Sequence, residues 1–212
     1  MKKIRLTKNS YPGKLIVFEG TDGSGKTTQI NKTFNYLKEK YPNKKIVLIK
    51  QPTDRVRKSE MFTTMMFNEN HNQINYRAVQ LLTLSDRLQQ NYDTIIPLLK
   101  DGAIILCDRY IYTSIANMEG RNYKKEKWFF EAIKEIIKPN ISFLIYIDSD
   151  IAIARIKQRV EEKNRYFDEQ LLHKVSKIFK KIRRKANFKI IYTNKNIEET
   201  FIKIKKELDK YV

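Results

Sequence analysis

The segment Phe18-Glu19-Gly20-Thr21-Asp22-Gly23-Ser24-Gly25-Lys26-Thr27-Thr28 constrains the fold more than any other part of the chain. The apolar run Leu15-Ile16-Val17-Phe18 precedes it, and a stretch with helical spacing from Gln29 to Lys40 follows. The order is therefore strand, glycine loop, helix. Gly20, Gly25, Lys26 and Thr27 fit G-x-x-x-x-G-K-[ST], in which glycines let successive backbone N–H groups turn inward around phosphate oxygens. Lys26 is placed to bridge β- and γ-phosphates, and the Thr27 hydroxyl stands where a Mg²⁺ ligand is needed. The N-terminus of the following helix adds partial positive charge. A Gly-rich turn that matches by chance is the plainer alternative, and the flanking strand and helix argue against it.

Four more apolar runs are continuous rather than alternating: Ile46 to Ile49, Ile104 to Cys107, Phe143 to Ile147 and Ile190 to Tyr192. Such strands suit a parallel sheet covered on both faces, and helical patterns separate them. The expectation is an α/β fold, a five-stranded parallel sheet with helices on both faces and ligands at the carboxyl ends of the strands. Polar clusters stand at those ends: the glycine loop, Lys50 to Arg55, Asp108-Arg109-Tyr110, Asp148-Ser149-Asp150, and Thr193-Asn194-Lys195. A long helix is expected over 75–99, and a second helical stretch over 151–182, interrupted by the charged run 161–165.

With 212 residues and no linker or repeat, the chain reads as a single domain, 1–212, with a short lid at about 155–168. No apolar run approaches the ~20 residues that span a bilayer, and the basic N-terminus lacks the apolar core of a signal peptide, so a cytoplasmic protein is expected. The lone Cys107 lies in an apolar run and reads as packing. A net charge of +19 attracts phosphates. Its lysines are scattered along helices without a nucleic-acid-binding motif, so nucleotides rather than nucleic acid are the expected partners.

Individual residues sharpen the site. Asp108 directly follows its strand, where an acidic group holds Mg²⁺ through water or takes a proton; the bland reading is a helix cap, a task that Thr113 and Ser114 are placed to perform instead. Arg87 either points into the crevice or pairs with Asp86 at the surface. Arg55 and Arg57 follow the second strand, and one is a candidate for an acceptor phosphate. Arg155 and Arg159, four apart, share a helix face, with Arg165 just beyond; the alternatives are a solvated basic face and guanidinium groups that close over transferring phosphates. His71 and His173 form no metal or triad pattern.

These motifs together resemble the thymidylate kinase family over nearly the whole chain from Leu15. The phosphate loop matches from Phe18 to Thr28; Lys50-Gln51-Pro52 looks like the family's R-E-P, Ser85-Asp86-Arg87 like [AS]-[DN]-R, Asp108-Arg109-Tyr110 like D-R-[YH], and 155–168 like its Arg-rich lid. The resemblance implies a P-loop kinase fold, usually homodimeric, that transfers the γ-phosphoryl group of ATP, with Mg²⁺, to deoxythymidine monophosphate. It implies ATP binding by Gly20, Thr21, Asp22, Gly23, Ser24, Gly25, Lys26, Thr27, Thr28, Thr193, Asn194 and Lys195. Lys26, Asp108, Arg165, Arg159 and Arg155 are then the catalytic groups, with Thr27 and Asp108 at the metal. The acceptor falls to Asp22 (sugar hydroxyl), Arg87 (thymine carbonyl), Arg109 (phosphate), Arg55 or Arg57, Thr83 and Tyr112. Gly23 stands where one branch of the family carries an Arg, so the chain resembles the branch whose catalytic Arg comes from the lid, with Arg165 the best match.

Thr83 stands where the family places a Phe that stacks on thymine. Loss of a stacking face costs about 1–3 kcal/mol and predicts relaxed base selection unless Tyr112 or Phe67 substitutes. Deoxythymidine monophosphate is the expected best acceptor, with some turnover of deoxyuridine monophosphate. The competing readings are a kinase for another nucleotide or a deoxynucleoside and, from a different class, a P-loop switch or nucleic-acid-binding regulator.

Overall fold

The computed structural model describes residues 4–68, 73–124, 126–159, 166–194 and 196–212. Five strands, β1 (Lys14–Glu19), β2 (Ile46–Lys50), β3 (Ile104–Asp108), β4 (Ile141–Tyr146) and β5 (Phe188–Tyr192), form one sheet in the order β2-β3-β1-β4-β5. Every pairing is parallel. Side chains alternate across the sheet: Leu15, Val17, Ile105 and Cys107 enter one core, while Ile16, Phe18, Ile104 and Leu106 enter the other. Both faces of the central strands are thus dry, which explains their unbroken apolar sequence.

The helices are α1 (Lys26–Lys40), α2 (Asp54–Arg57), α3 (Glu60–Phe67), α4 (Tyr76–Gln90), α5 (Ile96–Lys100), α6 (Ile111–Gly120), α7 (Lys127–Ala132), α8 (Ser149–Lys157), α9 (Glu169–Ala186) and α10 (Ile197–Leu208). Side chains cap several of their starts: Ser59 for α3, Asn75 for α4, Asp148 for α8, Asp168 for α9 and Asn196 for α10. Asp148 is accordingly a cap rather than a site residue.

Several expected boundaries move. The helix expected over 75–99 is divided by a π-helical turn at Asn91–Ile95. There Asn91 donates to the Glu135 carbonyl at 3.2 Å and accepts from the Ile137 amide at 3.1 Å. The extra residue rotates the apolar stripe, so that Leu99 rather than Leu98 is fully buried. β4 begins two residues earlier than its apolar run, because Ile141 and Ser142 already pair with β1 and β5. And α8 ends at Lys157, so Arg155 and Arg159 do not share a helix face; Arg159 lies past the last turn, its amide bonded to the Ile156 carbonyl at 3.0 Å.

Register brings the functional strand ends to one edge. Lys50 lies opposite Asp108, and Asp108 opposite Phe18. The sheet order reverses about β1, so the crevice a doubly wound sheet offers to ligands opens above the β1, β3 and β4 ends.

Candidate active site

At the end of β1 the chain turns without room for side chains. A Cβ at Gly20 would run into the Ile145 carbonyl, and one at Gly23, where φ is +76°, into the Ala152 carbonyl of α8. The collision at Gly23 gives the physical reason why no Arg can stand there: α8 occupies that volume. Unlike α3, α4, α9 and α10, α1 begins without a side-chain cap, behind Gly25 in the left-handed region and with no acidic residue in its first turn. Among the described residues no capping side chain takes its first N–H groups, an arrangement suited to an anion. The β5 end locks this loop from the other side, with the Thr193 hydroxyl donating to the Ser24 carbonyl at 2.8 Å and the Thr193 amide to Tyr146 at 2.9 Å.

Two ion pairs occupy the crevice. Lys26 binds Asp108, and Arg109 binds Asp22. Asp108 is therefore not a helix cap. Lys26 is pushed down to about 8, first by burial and then by the Arg109 charge, against the pull of Asp108. Arg109 also donates to the Gly20 carbonyl at 2.9 Å, and its backbone sits at φ 67°. A non-glycine residue in that region is strained, and here the strain directs the guanidinium back over the phosphate loop.

Below this pair lies a group that sequence reading passed over. Glu19, the last residue of β1, is wholly buried and accepts from the Tyr110 and Thr113 amides, each at 3.0 Å, and from the Thr113 hydroxyl at 2.5 Å. It caps α6 from a neighbouring strand, so Thr113 and Ser114, inside that helix, do not. Burial raises its pKa to about 7, opposed by the Thr113 hydrogen bond and Arg109. A carboxyl raised in the folded state binds more protons folded than unfolded between about pH 4.5 and 7, so its contribution to stability is lost as pH rises through that window. The stability difference between wild type and Glu19→Gln is expected to change across pH 4.5–7 and to level off above it. Chemical denaturation across that range checks this; a constant difference would contradict it.

α4 presents Tyr76, Gln80, Thr83 and Arg87 to the same cleft. Arg87 is 1% exposed, with Nη1 on the Thr83 carbonyl at 3.0 Å and, among the described residues, no partner for Nε. Burial pushes it down to about 10, while Glu19 and Asp86 pull the other way. The surface pairing of Arg87 with Asp86 is ruled out, since Asp86 instead accepts from Thr53 and pins the loop after β2 to α4. On that loop Arg57 lines the cleft, held by the Pro52 carbonyl at 2.9 Å. Arg55 is exposed and does not line it, because the first turn of α2 points it away.

The cleft, about 390 Å³, is closed by α9 and by residues 166–168, with the Tyr166 amide on the Phe67 carbonyl at 3.1 Å. Among the described residues, seven basic side chains and three carboxylates line it, a balance suited to two phosphorylated ligands. Arg159 is one of the seven, and Arg155 donates to the Gly23 carbonyl at 3.4 Å. Arg165 and Lys195 lie outside the described residues. Tyr112, expected near the base, does not reach it: it is 2% exposed and packs edge-on against Phe188 at 5.0 Å, because α6 turns that position toward β5. Phe67 does line the cleft.

The family model for thymidylate kinase matches residues 18–204, from the end of β1 into α10. The chain belongs to the thymidylate kinase family. It is 36% identical to the thymidylate kinase of Thermosipho africanus over 93% of its own length and 98% of that protein's. The corresponding enzyme of Caldicellulosiruptor saccharolyticus is 32% identical over 93% and 96%, and that of an aster yellows witches'-broom phytoplasma 31% identical over 91% and 95%. For a thymidylate kinase family member, the five-stranded parallel sheet and the loop geometry above are the expected scaffold, and the matched segment takes in every cleft residue named here.

Proposed function

We propose that this protein transfers the γ-phosphoryl group of ATP to deoxythymidine monophosphate, giving ADP and deoxythymidine diphosphate. The observation that carries this reading is that Lys26, on the phosphate loop, and the buried Arg87, whose Nε has no partner among the described residues, line one cleft. One end suits a triphosphate and the other a base carbonyl.

In the transfer, an acceptor phosphate oxygen forms a bond to the γ-phosphorus as the bond from that phosphorus to the β–γ bridging oxygen breaks. Lys26 leaves Asp108 for the β- and γ-oxygens. Arg109 leaves Asp22 for the acceptor phosphate, Asp22 meets the sugar hydroxyl, and Arg57 approaches the same phosphate. Arg159 and Arg155, with Arg165 as the proposed catalytic lid group, neutralise charge that develops on the transferring oxygens. In each pair the cation exchanges a carboxylate for a phosphate, so its charge stays matched through the transfer. Thr27 and Asp108 offer the hard oxygen donors Mg²⁺ takes alongside water and phosphate oxygens, and the ion would neutralise phosphate charge. Thr193 borders the loop through Ser24, and it and the adjacent Asn194 are the residues proposed for the donor adenine.

The remaining proposals are a single kinase domain over 1–212 with a lid at about 155–168, a homodimer, and a cytoplasmic location. Among the described residues no helix is long and apolar enough to cross a membrane.

Steady-state kcat/KM across the deoxynucleoside monophosphates tests the acceptor. Deoxythymidine monophosphate is expected to be best and deoxyuridine monophosphate measurable, since both offer a carbonyl to Arg87, with deoxyadenosine monophosphate poorest. A preference for adenine, or for a nucleoside without phosphate, would overturn the assignment.

A further inference from the structure

The base pocket lacks an aromatic side chain at Thr83, yet a guanidinium, that of Arg121, lines the same cleft from another element. Arg121, at the end of α6, lies with its guanidinium 4.5 Å from the centroid of Tyr76. Tyr76 packs on Tyr123 at 5.5 Å, and the Arg77 guanidinium lies 4.9 Å from the Tyr123 ring. The four side chains form a continuous stack, Arg77, Tyr123, Tyr76, Arg121, two rings between two guanidinium groups, that runs inward from the surface and ends at the cleft.

Each member is held in place. Arg77 is paired with Glu126 at 2.9 Å. The Tyr76 hydroxyl accepts from Gln80 at 2.8 Å, and Arg121 donates to Asn117 at 3.1 Å. Gly120, just before Arg121, presses so closely on α9 that a Cβ there would lie 3.1 Å from Leu171 and 3.2 Å from Val175, which fixes the backbone from which Arg121 springs. Arg121 is half-buried and lines the cleft together with Tyr76, Gln80, Thr83 and Arg87.

We infer that Arg121 is the platform on which the acceptor base stacks, backed by Tyr76, in place of the aromatic side chain that Thr83 does not provide. A guanidinium is planar and weakly hydrated, so it can lie between an aromatic ring and a base, satisfying both faces. Every base has a π-face, so such a platform gives affinity without choosing among bases, and Arg87 is left to choose. This rests on the acceptor proposed above.

The test uses the full-length enzyme and the variants Arg121→Met and Arg121→Lys, with deoxyribose 5-phosphate as a competitor that shares the sugar and phosphate but has no base. Both variants are expected to raise KM for deoxythymidine monophosphate about tenfold, leaving kcat within about twofold and the Ki of deoxyribose 5-phosphate unchanged. Thr83→Phe added to Arg121→Met is expected to recover most of the loss. An unchanged KM overturns the inference. So does full retention by Arg121→Lys, which would mean charge rather than plane, or a parallel rise in the Ki, which would place the guanidinium on phosphate. Were wild type to phosphorylate no deoxynucleoside monophosphate, the acceptor assignment would fall and the platform with it; wild-type turnover with KM unmoved by the variants removes the platform alone.

Discussion

Lys26→Ala is expected to lower turnover by about a thousandfold or more while the protein stays folded, because a preorganised cation aimed at a transferring phosphoryl group acts on the transition state. The ammonium is nearly buried and is paired with Asp108. Alanine removes the charge and leaves that carboxylate without its cation, so a modest loss of stability accompanies the loss of activity. Lys26→Met keeps the buried stem and separates the two effects, and it is expected to be equally inactive. Steady-state kinetics with thermal melting checks this. A folded variant with near wild-type turnover would remove the phosphate loop from the chemistry.

The lid supplies the second large effect. Arg165→Ala is expected to lower kcat by about a hundredfold or more, with a smaller change in acceptor affinity, as for a guanidinium that meets the phosphoryl group only in the transition state. The exclusion of any side chain at Gly23 by the Ala152 carbonyl bears on this, since it closes the phosphate loop as a source of that Arg. Arg159 already lines the cleft, so an unaltered kcat in Arg165→Ala would transfer the role to Arg159, and Arg159→Ala would then carry the hundredfold loss.

Much of the site was readable from the chain because a parallel sheet gathers strand ends that follow one another in sequence. Once β1, β2 and β3 were recognised from their continuous apolar runs, Lys26, Arg57, Asp108 and Arg109 had to meet. Arg87 was ambiguous in sequence, since an Arg beside an Asp on a helix reads equally as a surface pair; the tether of Asp86 to Thr53 decides it. Residues whose role depends on distant partners were not readable. Glu19 caps a helix more than ninety residues later. Tyr112 follows the Asp108-Arg109-Tyr110 motif by two positions, yet the rotation of α6 turns it to β5. The Arg77, Tyr123, Tyr76 and Arg121 stack joins separate parts of the chain through four residues of two ordinary types, and no spacing rule announces it. The π-helical turn at Asn91–Ile95 likewise shifts a stripe whose periodicity looks unbroken, and only the demand of the Ile137 amide and Glu135 carbonyl for partners accounts for it.

Phosphorus NMR of the protein mixed with ATP, Mg²⁺ and deoxythymidine monophosphate tests the central claim most directly, because it shows where the γ-phosphoryl group goes. Transfer to the acceptor gives the two resonances of deoxythymidine diphosphate, growing in equal amount with those of ADP, while inorganic phosphate stays at its background. That is the result predicted here. ADP appearing with inorganic phosphate alone, whether or not the monophosphate is present, would contradict it and would mark the protein as a nucleotide-hydrolysing switch.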